Sequence, residues 1–567
     1  MILQKILSLS TKKKIKVVIP TSQQVTAYLP LIHYILKMCY DLEGKHTNKI
    51  KWCDPYFLDP YHIDPWQDIV KDSPDIVCFS MYVWNKPLII DLAQQLRKQY
   101  PNIKLILGGP EVSWKDHESF FNEHVFDYMI YGDSEQAIVN LLDVILEGKE
   151  TSARLFNVPN LIYKDSQGRV TKTRHEIYRG HLVKDVSPWV HNAKDVKKHA
   201  RLIKKHNLAI FATWEYDRGC MYKCSFCDWS AGLHHKVTRK KYDWREDFKI
   251  FTDIECHMVN VSNANYGQYA EDIEILREAL RIRAKKLGDA FAVFQYSQTK
   301  MHVKNLREFY RVQADEVGYV DLEPHLQSIN DEVLKNIDRP SLTWQQQKDL
   351  IAEVRSWGVE VKLNPTFMVG LPGETVETWD HLISELISLH PVMSVILNPW
   401  IILPNSPGSE SEYQEKHGIK NIVGLEPMQY HNRPQIFTGQ TREEVYDQLM
   451  AAAKDPTATK TRAFLLPRVW QTSTATPHDM MYKIYSVAVM VALSRGMRKR
   501  SAEDLAILFK KLRPQIWQRS QEDADWALEQ YNKHGAFPGY VQRNGEVLSF
   551  HQLTLTGRGL ELIKDPW

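Results

Sequence analysis

Arg218-Gly219-Cys220-Met221-Tyr222-Lys223-Cys224-Ser225-Phe226-Cys227-Asp228-Trp229 is the stretch on which the rest of the chain turns. Three of the chain's seven cysteines fall here, spaced C-x3-C-x2-C. Such spacing lets three thiolates converge on one soft-metal centre from a single loop. Three ligands leave one iron of a 4Fe–4S cube open to a non-protein ligand, so the centre can do chemistry as well as carry electrons. Spacing alone leaves two alternatives open. One is a Cys3His zinc site completed by His234 or His235. The other is three unligated cysteines.

A chain of 567 residues exceeds a single core and implies three or four units. Its 72 basic residues nearly balance 69 acidic ones, so composition carries no nucleic-acid footprint. The four cysteines outside the loop, Cys39, Cys53, Cys78 and Cys256, sit in apolar runs and read as buried spectators. Seven cysteines form no disulfide framework, which points to a reducing compartment. The apolar run in residues 1–7 is too short for a signal peptide, and that in 485–494 too short to span a bilayer. The expectation is a cytoplasmic protein without membrane or nucleic-acid partners.

Upstream of the loop, short apolar runs alternate with amphipathic stretches. Strands are expected at 15–19, 49–53, 75–80, 104–107 and 126–131. Helical stripes lie between them, as in Leu88, Leu92 and Leu96, then Ile138, Leu141, Leu142 and Ile145. This alternation predicts a doubly wound parallel sheet, whose ligands bind at the carboxyl ends of the strands. No G-x-G-x-x-G follows the first strand, which argues against a dinucleotide. Residues 149–205 read as a linker carrying a hairpin at 161–173, with its turn at Asp165-Ser166-Gln167-Gly168. His175, His181, His191 and His199 lack metal-ligand spacing there and read as surface residues.

Downstream, strands are expected at 208–213, 256–261, 291–295, 316–322, 360–368 and 394–402. The last intervening helix carries Trp379, Leu382, Ile383, Leu386 and Ile387 on one face. Six strand–helix units predict a partial (β/α)6 barrel with the cysteine loop after its first strand. Barrel sites gather at the strands' carboxyl ends, and those ends are polar here. They carry Asn263 and Asn265, then Gln295 and Gln298, then Glu323 and Gln327, then Asn364. From 429 onward, periodicity at 445–452, 478–493 and 502–512 predicts helices, with a closing hairpin around Asn544-Gly545. That region carries no catalytic motif.

Taken together, these motifs resemble the cobalamin-dependent (B12-binding) radical S-adenosylmethionine (SAM) family. Cys220, Cys224 and Cys227, with Phe226 before the last, resemble its cluster signature. Leu322-Glu323, Leu326-Gln327-Ser328, Val333-Leu334, Ile337 and Arg339 resemble its barrel, as does Gly370-Leu371-Pro372-Gly373-Glu374. Ser80-x-Tyr82-x-Trp84-Asn85 and Gly108-Gly109-Pro110 resemble its cobalamin-binding domain. The family's Asp-x-His-x-x-Gly motif is absent, and its Gly-Glu-x-Glu stands here as Gly132-Asp133-Ser134-Glu135.

The resemblance implies an α/β chain with a Rossmann-like cobalamin domain at 1–148 and a linker at 149–205. A radical SAM barrel at 206–428 and a mostly helical domain at 429–567 follow. It implies a 4Fe–4S cluster on Cys220, Cys224 and Cys227. SAM would be held by Phe226, Asn263, Asn265, Gln295, Gln298, Glu323, Gln327 and Asn364. Cobalamin would be held by Thr21, Ser80, Tyr82, Trp84, Gly108, Gly109, Pro110 and Gly132. The implied activity is methylation of an unactivated carbon, or of phosphorus, on an unidentified small molecule or peptide. An electron donor such as flavodoxin or ferredoxin would serve it. Ring contraction, cyclisation or oxidation without methyl transfer is the enzymatic alternative, and a non-enzymatic zinc protein the other. With no histidine in residues 20–26, and His33 inside a helical apolar pattern, cobalamin is expected to bind with its own base displaced and no histidine in its place.

Overall fold

The computed structural model describes residues 12–417, apart from 21–25, 59–64, 83–84, 179–184, 206–208, 228–236, 257, 288–292, 296–302, 323, 340–341, 364, 370, 374–377, 379–380, 383–384, 386–395 and 400–405. Beyond these it describes the strands Ile419–Ile422, Gln435–Thr438, Tyr540–Arg543 and Glu546–Ser549. Two compact units result: Met1–Thr213 with Thr238–Cys256, and Trp214–Val237 with His257–Trp567.

In the first unit, five parallel strands lie side by side in the order Ile50–Trp52, Lys13–Pro20, Ile76–Ser80, Lys104–Gly108, Tyr128–Ile130. Numbered along the chain this is 2-1-3-4-5, the doubly wound order with its switch point between the first and third strands. Every residue of Ile76–Ser80 is buried, because helices cover both faces of the sheet. Alternate side chains serve opposite faces. Ile76, Cys78 and Ile106 join one core with Ile138, Leu141 and Leu142. Val77, Phe79, Leu105 and Leu107 join the other with Leu92 and Leu96. Leu92 and Leu96 of the first expected stripe, and Ile138, Leu141 and Leu142 of the second, therefore face the sheet. The strand expected at 49–53 is Ile50–Trp52, and a further strand that was not expected, Tyr56–Leu58, follows it, both paired to Lys13–Pro20. Pro55, which has no N–H for the ladder, lies between them.

The segment 149–205 does more than link. Leu161–Lys164 and Val170–Lys172 form the expected hairpin, and its first strand adds antiparallel to Tyr128–Ile130. At the turn, Asp165 Oδ1 accepts the Gln167 and Arg169 amides at 2.8 and 3.0 Å. Gly168 takes φ +77° there, a conformation that favours glycine. Thr26–Tyr28 pairs in parallel with Ala209–Trp214, joining chain segments far apart in sequence.

His199 corrects the surface assignment, being 1% exposed. The helix Ala193–Lys205 is rich in lysine, yet its period places His199 with Val196, Ala200 and Ile203 on the buried face. His175 is exposed and His191 half-buried, while His181 lies outside the described residues.

The second unit continues the parallel pattern. Met258–Val261 pairs with Val293–Gln295, and Tyr319–Leu322 with Glu360–Leu363. His325–Gln327 pairs with Thr366–Val369, which pairs in turn with Ile396–Pro399. The strand expected at 360–368 is thus split at Pro365, and His325–Gln327 is an additional strand that follows Tyr319–Leu322 after Pro324. The helices Ala270–Leu287, Val303–Val317 and Trp344–Arg355 alternate with the strands. Thr343 and Gln346 close a reciprocal capping box at the start of the last helix. Tyr540–Arg543 and Glu546–Ser549 pair antiparallel with Arg543 opposite Glu546, as the Asn544-Gly545 turn predicts. The helical patterns at 445–452, 478–493 and 502–512 lie outside the described residues, as do Trp379, Ile383, Leu386 and Ile387; Leu382 is buried. Among the described residues no helix is long and apolar enough to cross a membrane.

Candidate functional site

The cysteine loop is held from three sides. Ser225, fully buried, donates its amide to Ile337 O at 3.0 Å and accepts the Gly408 amide at 2.7 Å. Its hydroxyl lies 2.8 Å from the Tyr413 phenol, which itself donates to Asn336 O at 2.7 Å. Cys220 and Cys224 are buried while Cys227 is half-buried. Phe226 packs on the small core of Val333, Leu334, Ile337 and Leu371. Among the described residues, no trio of His, Cys, Asp or Glu stands where it could grip a single metal ion. A cube takes one sulfur per iron, which three thiolates on one loop can supply.

Two nitrogen donors approach the sulfurs from outside the loop. Asn265 Nδ2 lies 3.0 Å from Cys220 Sγ. Arg339, 7% exposed, hydrogen-bonds the Cys224 sulfur, donates to the His325 carbonyl and sits 6.0 Å from the Phe226 ring centre. Burial draws the Arg339 guanidinium down to about 10 even against the Cys224 and Cys227 charges, which hold it up. Burial first, then the Arg339 charge, holds His325 down to about 4.

Among the described residues, the strand ends of the second unit carry buried polar atoms with no hydrogen-bond partner: Asn263 Nδ2, Asn265 Oδ1 and Gln327 Oε1. Such atoms are costly to bury unless something satisfies them, so they suit a polar ligand such as SAM. Asn263 also has a structural task, since its Oδ1 accepts the Tyr216 and Asp217 amides at 2.8 and 2.9 Å. Gln327 adopts φ +61°, a strained backbone for a residue with a side chain. Gln295 lies in its strand as expected. Gln298, Glu323 and Asn364 lie outside the described residues.

In the first unit, the ends of three adjacent strands carry the other candidates. Ser80 stands opposite Gly108 in register. Asn85 ties the first turn, donating to Ser80 O at 3.1 Å and accepting the Tyr82 amide at 2.7 Å. At Gly108 an added Cβ would meet only ordinary contacts, with Ile130 O at 3.8 Å and Phe79 O at 3.9 Å. Gly109 takes φ +104°, where a Cβ would fall 2.5 Å from Met81 O. Pro110 and Gly132 are exposed. This small-residue ledge beside the switch point suits a broad, flat cofactor. Asp133 serves the fold, since its Oδ2 accepts the Tyr178 amide at 2.9 Å and its carbonyl accepts Asn160 Nδ2 at 2.9 Å. Thr21 and Trp84 lie outside the described residues.

Sequence reasoning passed over four residues that shape these sites. Asn85 and Arg339 stood inside quoted motifs without a role. Ser225 and Tyr413 carried no signal, because a clamp between distant segments leaves no local pattern.

The model of the Radical SAM superfamily matches residues 214–386, and that of the B12 binding domain matches residues 57–142. The cofactors that go with these two domains are SAM with a 4Fe–4S cluster, and cobalamin. The chain is 24% identical over 398 residues to the "Cobalamin-dependent radical SAM methyltransferase TokK" of Streptomyces tokunonensis. It is 22% identical over 399 residues to the "2-(S-pantetheinyl)-carbapenam-3-carboxylate methyltransferase" of Streptantibioticus cattleyicolor. Each match takes in 70% of this chain and 56% of the relative, so the chain spans about half the length of the curated relatives it matches. In fold it resembles the radical SAM methyltransferase TsrM from Kitasatospora setae, solved with cobalamin and a [4Fe-4S] cluster bound. The TM-score is 0.57 and the identity 14%, covering 90% of this chain and all of that one.

Proposed function

The chain carries a B12-binding domain followed by a radical SAM domain, and from that premise we propose that it is a cobalamin-dependent radical SAM methyltransferase. The observation that carries this reading is the cysteine loop itself. Three cysteines lie on a pinned loop, and Asn265, whose Oδ1 has no hydrogen-bond partner among the described residues, sets its Nδ2 3.0 Å from Cys220 Sγ, a setting for a cluster and its polar co-substrate. When bound, these cofactors supply a 5′-deoxyadenosyl radical and a methyl group. The chain's part is to hold, orient and exclude water. Cys220, Cys224 and Cys227 hold the cluster, and the strand ends of the second unit position SAM. The Ser80, Gly108–Pro110 and Gly132 ledge receives cobalamin. The names of both curated relatives support methyl transfer over other radical chemistry. The acceptor is an unactivated carbon, or phosphorus, of a small molecule or peptide. A low-potential carrier such as flavodoxin or ferredoxin supplies electrons in the cytoplasm.

The test is a count of SAM products from anaerobically reconstituted protein with cobalamin and candidate acceptors. Methyl transfer yields S-adenosylhomocysteine alongside 5′-deoxyadenosine, and Cys224→Ala abolishes the latter. Formation of 5′-deoxyadenosine alone, whatever the acceptor, would replace methylation with a cobalamin-dependent rearrangement or oxidation. Full SAM cleavage by the Cys224→Ala protein would overturn the cluster assignment.

A further inference from the structure

Neither nitrogen donor at the sulfurs is a metal ligand, yet both are rigidly placed. Asn265 is buried in the turn after Met258–Val261, its Nδ2 3.0 Å from Cys220 Sγ. Arg339 follows the helix Asp331–Asn336, its amide bonded to Leu334 O at 3.0 Å and its guanidinium to the His325 carbonyl. From there it reaches the Cys224 sulfur. The two donors thus serve two different cysteines from two different strand–helix units.

We infer that Asn265 and Arg339 set the reduction potential of the cluster held by Cys220, Cys224 and Cys227, acting as positioning residues on its sulfur charge. The inference rests on the cluster assignment proposed above. One electron from a low-potential donor, dithionite in vitro, takes a 4Fe–4S cube from the 2+ to the 1+ state. No bond to the protein breaks, and the added charge spreads onto the sulfurs. Hydrogen bonds to sulfur and nearby positive charge stabilise the more negative state more than the oxidised one, so both raise the potential. Arg339, charged and desolvated, has the larger effect of the two. A packing role alone would change thermal stability and iron retention without moving the potential.

The experiment compares reconstituted wild type with Arg339→Gln, Arg339→Lys and Asn265→Ala. Iron per chain, thermal midpoint and cluster midpoint potential are measured, the last by a redox titration followed by electron paramagnetic resonance without SAM. With iron content retained, Arg339→Gln shifts the one-electron equilibrium about tenfold toward the oxidised state, a potential about 59 mV more negative. Asn265→Ala shifts it the same way by less, and Arg339→Lys stays near wild type. Iron-loaded Arg339→Gln and Asn265→Ala proteins with wild-type potentials would overturn the inference. So would loss of iron from all three variants, which would make both residues structural supports. A wild-type protein that takes up no cluster would instead sink the functional assignment itself.

Discussion

The Tyr34 hydroxyl stands 2.8 Å from Nδ1 of His199, with the two rings stacked at 13°, and so joins the helix Leu31–Glu43 to the helix Ala193–Lys205. His199 Nε2 continues the chain to Asp54 at 3.4 Å, and the His33 ring lies 6.0 Å from that of His199. This buried polar cluster makes the first unit sensitive to acid. Burial, then the charge of His199, holds His33 down to about 3 from its ordinary 6.5. Between those two values the unfolded chain binds more protons than the folded one. The stabilisation is therefore complete above about pH 6.5 and is lost as pH falls toward 3. Thermal unfolding followed across that range should show a falling midpoint, and His33→Gln should flatten the slope. A midpoint indifferent to pH would refute this.

Gly109 fixes the ledge after the strand Lys104–Gly108. At φ +104° and with Met81 O at 2.5 Å from an added Cβ, Gly109→Ala must displace one of the two turns. The expected cost is about 2 kcal/mol, read by urea unfolding. Cobalamin retained after desalting should fall with it. Wild-type retention by a stable variant would separate this turn from cofactor binding.

Gln327 separates a ligand role from a backbone one. Gln327→Gly removes the side chain while relieving the strain at φ +61°, whereas Gln327→Ala removes it and keeps the strain. If Gln327 Oε1 serves SAM, both iron-loaded variants bind it about tenfold more weakly, a loss of about 1.4 kcal/mol. Calorimetric titration with SAM measures this. Normal affinity in the glycine variant alone would assign the residue to the strand end.

His33 cannot turn toward a cofactor without leaving the core, since it is 2% exposed and packed against Trp52 and Tyr34. With cobalamin's own base displaced as well, the cob(II)alamin form should show no threefold nitrogen splitting on its cobalt lines in electron paramagnetic resonance. Clear splitting would establish an axial nitrogen and refute this.

Tyr413→Phe deletes the phenol that meets both Ser225 and Asn336 O. Two lost hydrogen bonds amount to about 1–3 kcal/mol. Iron retained after gel filtration should drop, because the loss falls on the loop that carries the cysteines. A variant with wild-type iron and thermal midpoint would remove Tyr413 from the loop's support.

What the sequence made legible was whatever has a local period or a local turn. The continuous apolar run Ile76–Ser80, the stripe Ile138–Leu141–Leu142 and the Asp165–Gly168 turn each declare themselves within a few residues. The cysteine loop did so by spacing. Contacts between distant segments left no such trace: Thr26–Tyr28 beside Ala209–Trp214, and Tyr413 beneath Ser225. His199 was misread because five lysines and an arginine share its helix, and only the helical period reveals its buried side. The strand-end asparagines were found by type and place. That Asn265 donates to a cysteine sulfur, while Asn263 spends its carbonyl on the turn before the loop, is a matter of orientation, which residue type does not encode.

The clamp on Ser225 also orders events during synthesis. The cysteine loop emerges from the ribosome well before residues 336–337 and 406–413, which hold it in place. At about 5–20 residues per second, the loop spends roughly ten seconds or more without its supports. Throughout that interval Cys220 and Cys224 lack the enclosure that buries them in the finished fold, and their thiols are open to oxidation. Cluster loading therefore belongs after translation has passed Tyr413. The yield of active protein from a producing cell will follow how reducing its cytosol is during that gap, as much as how much iron it supplies.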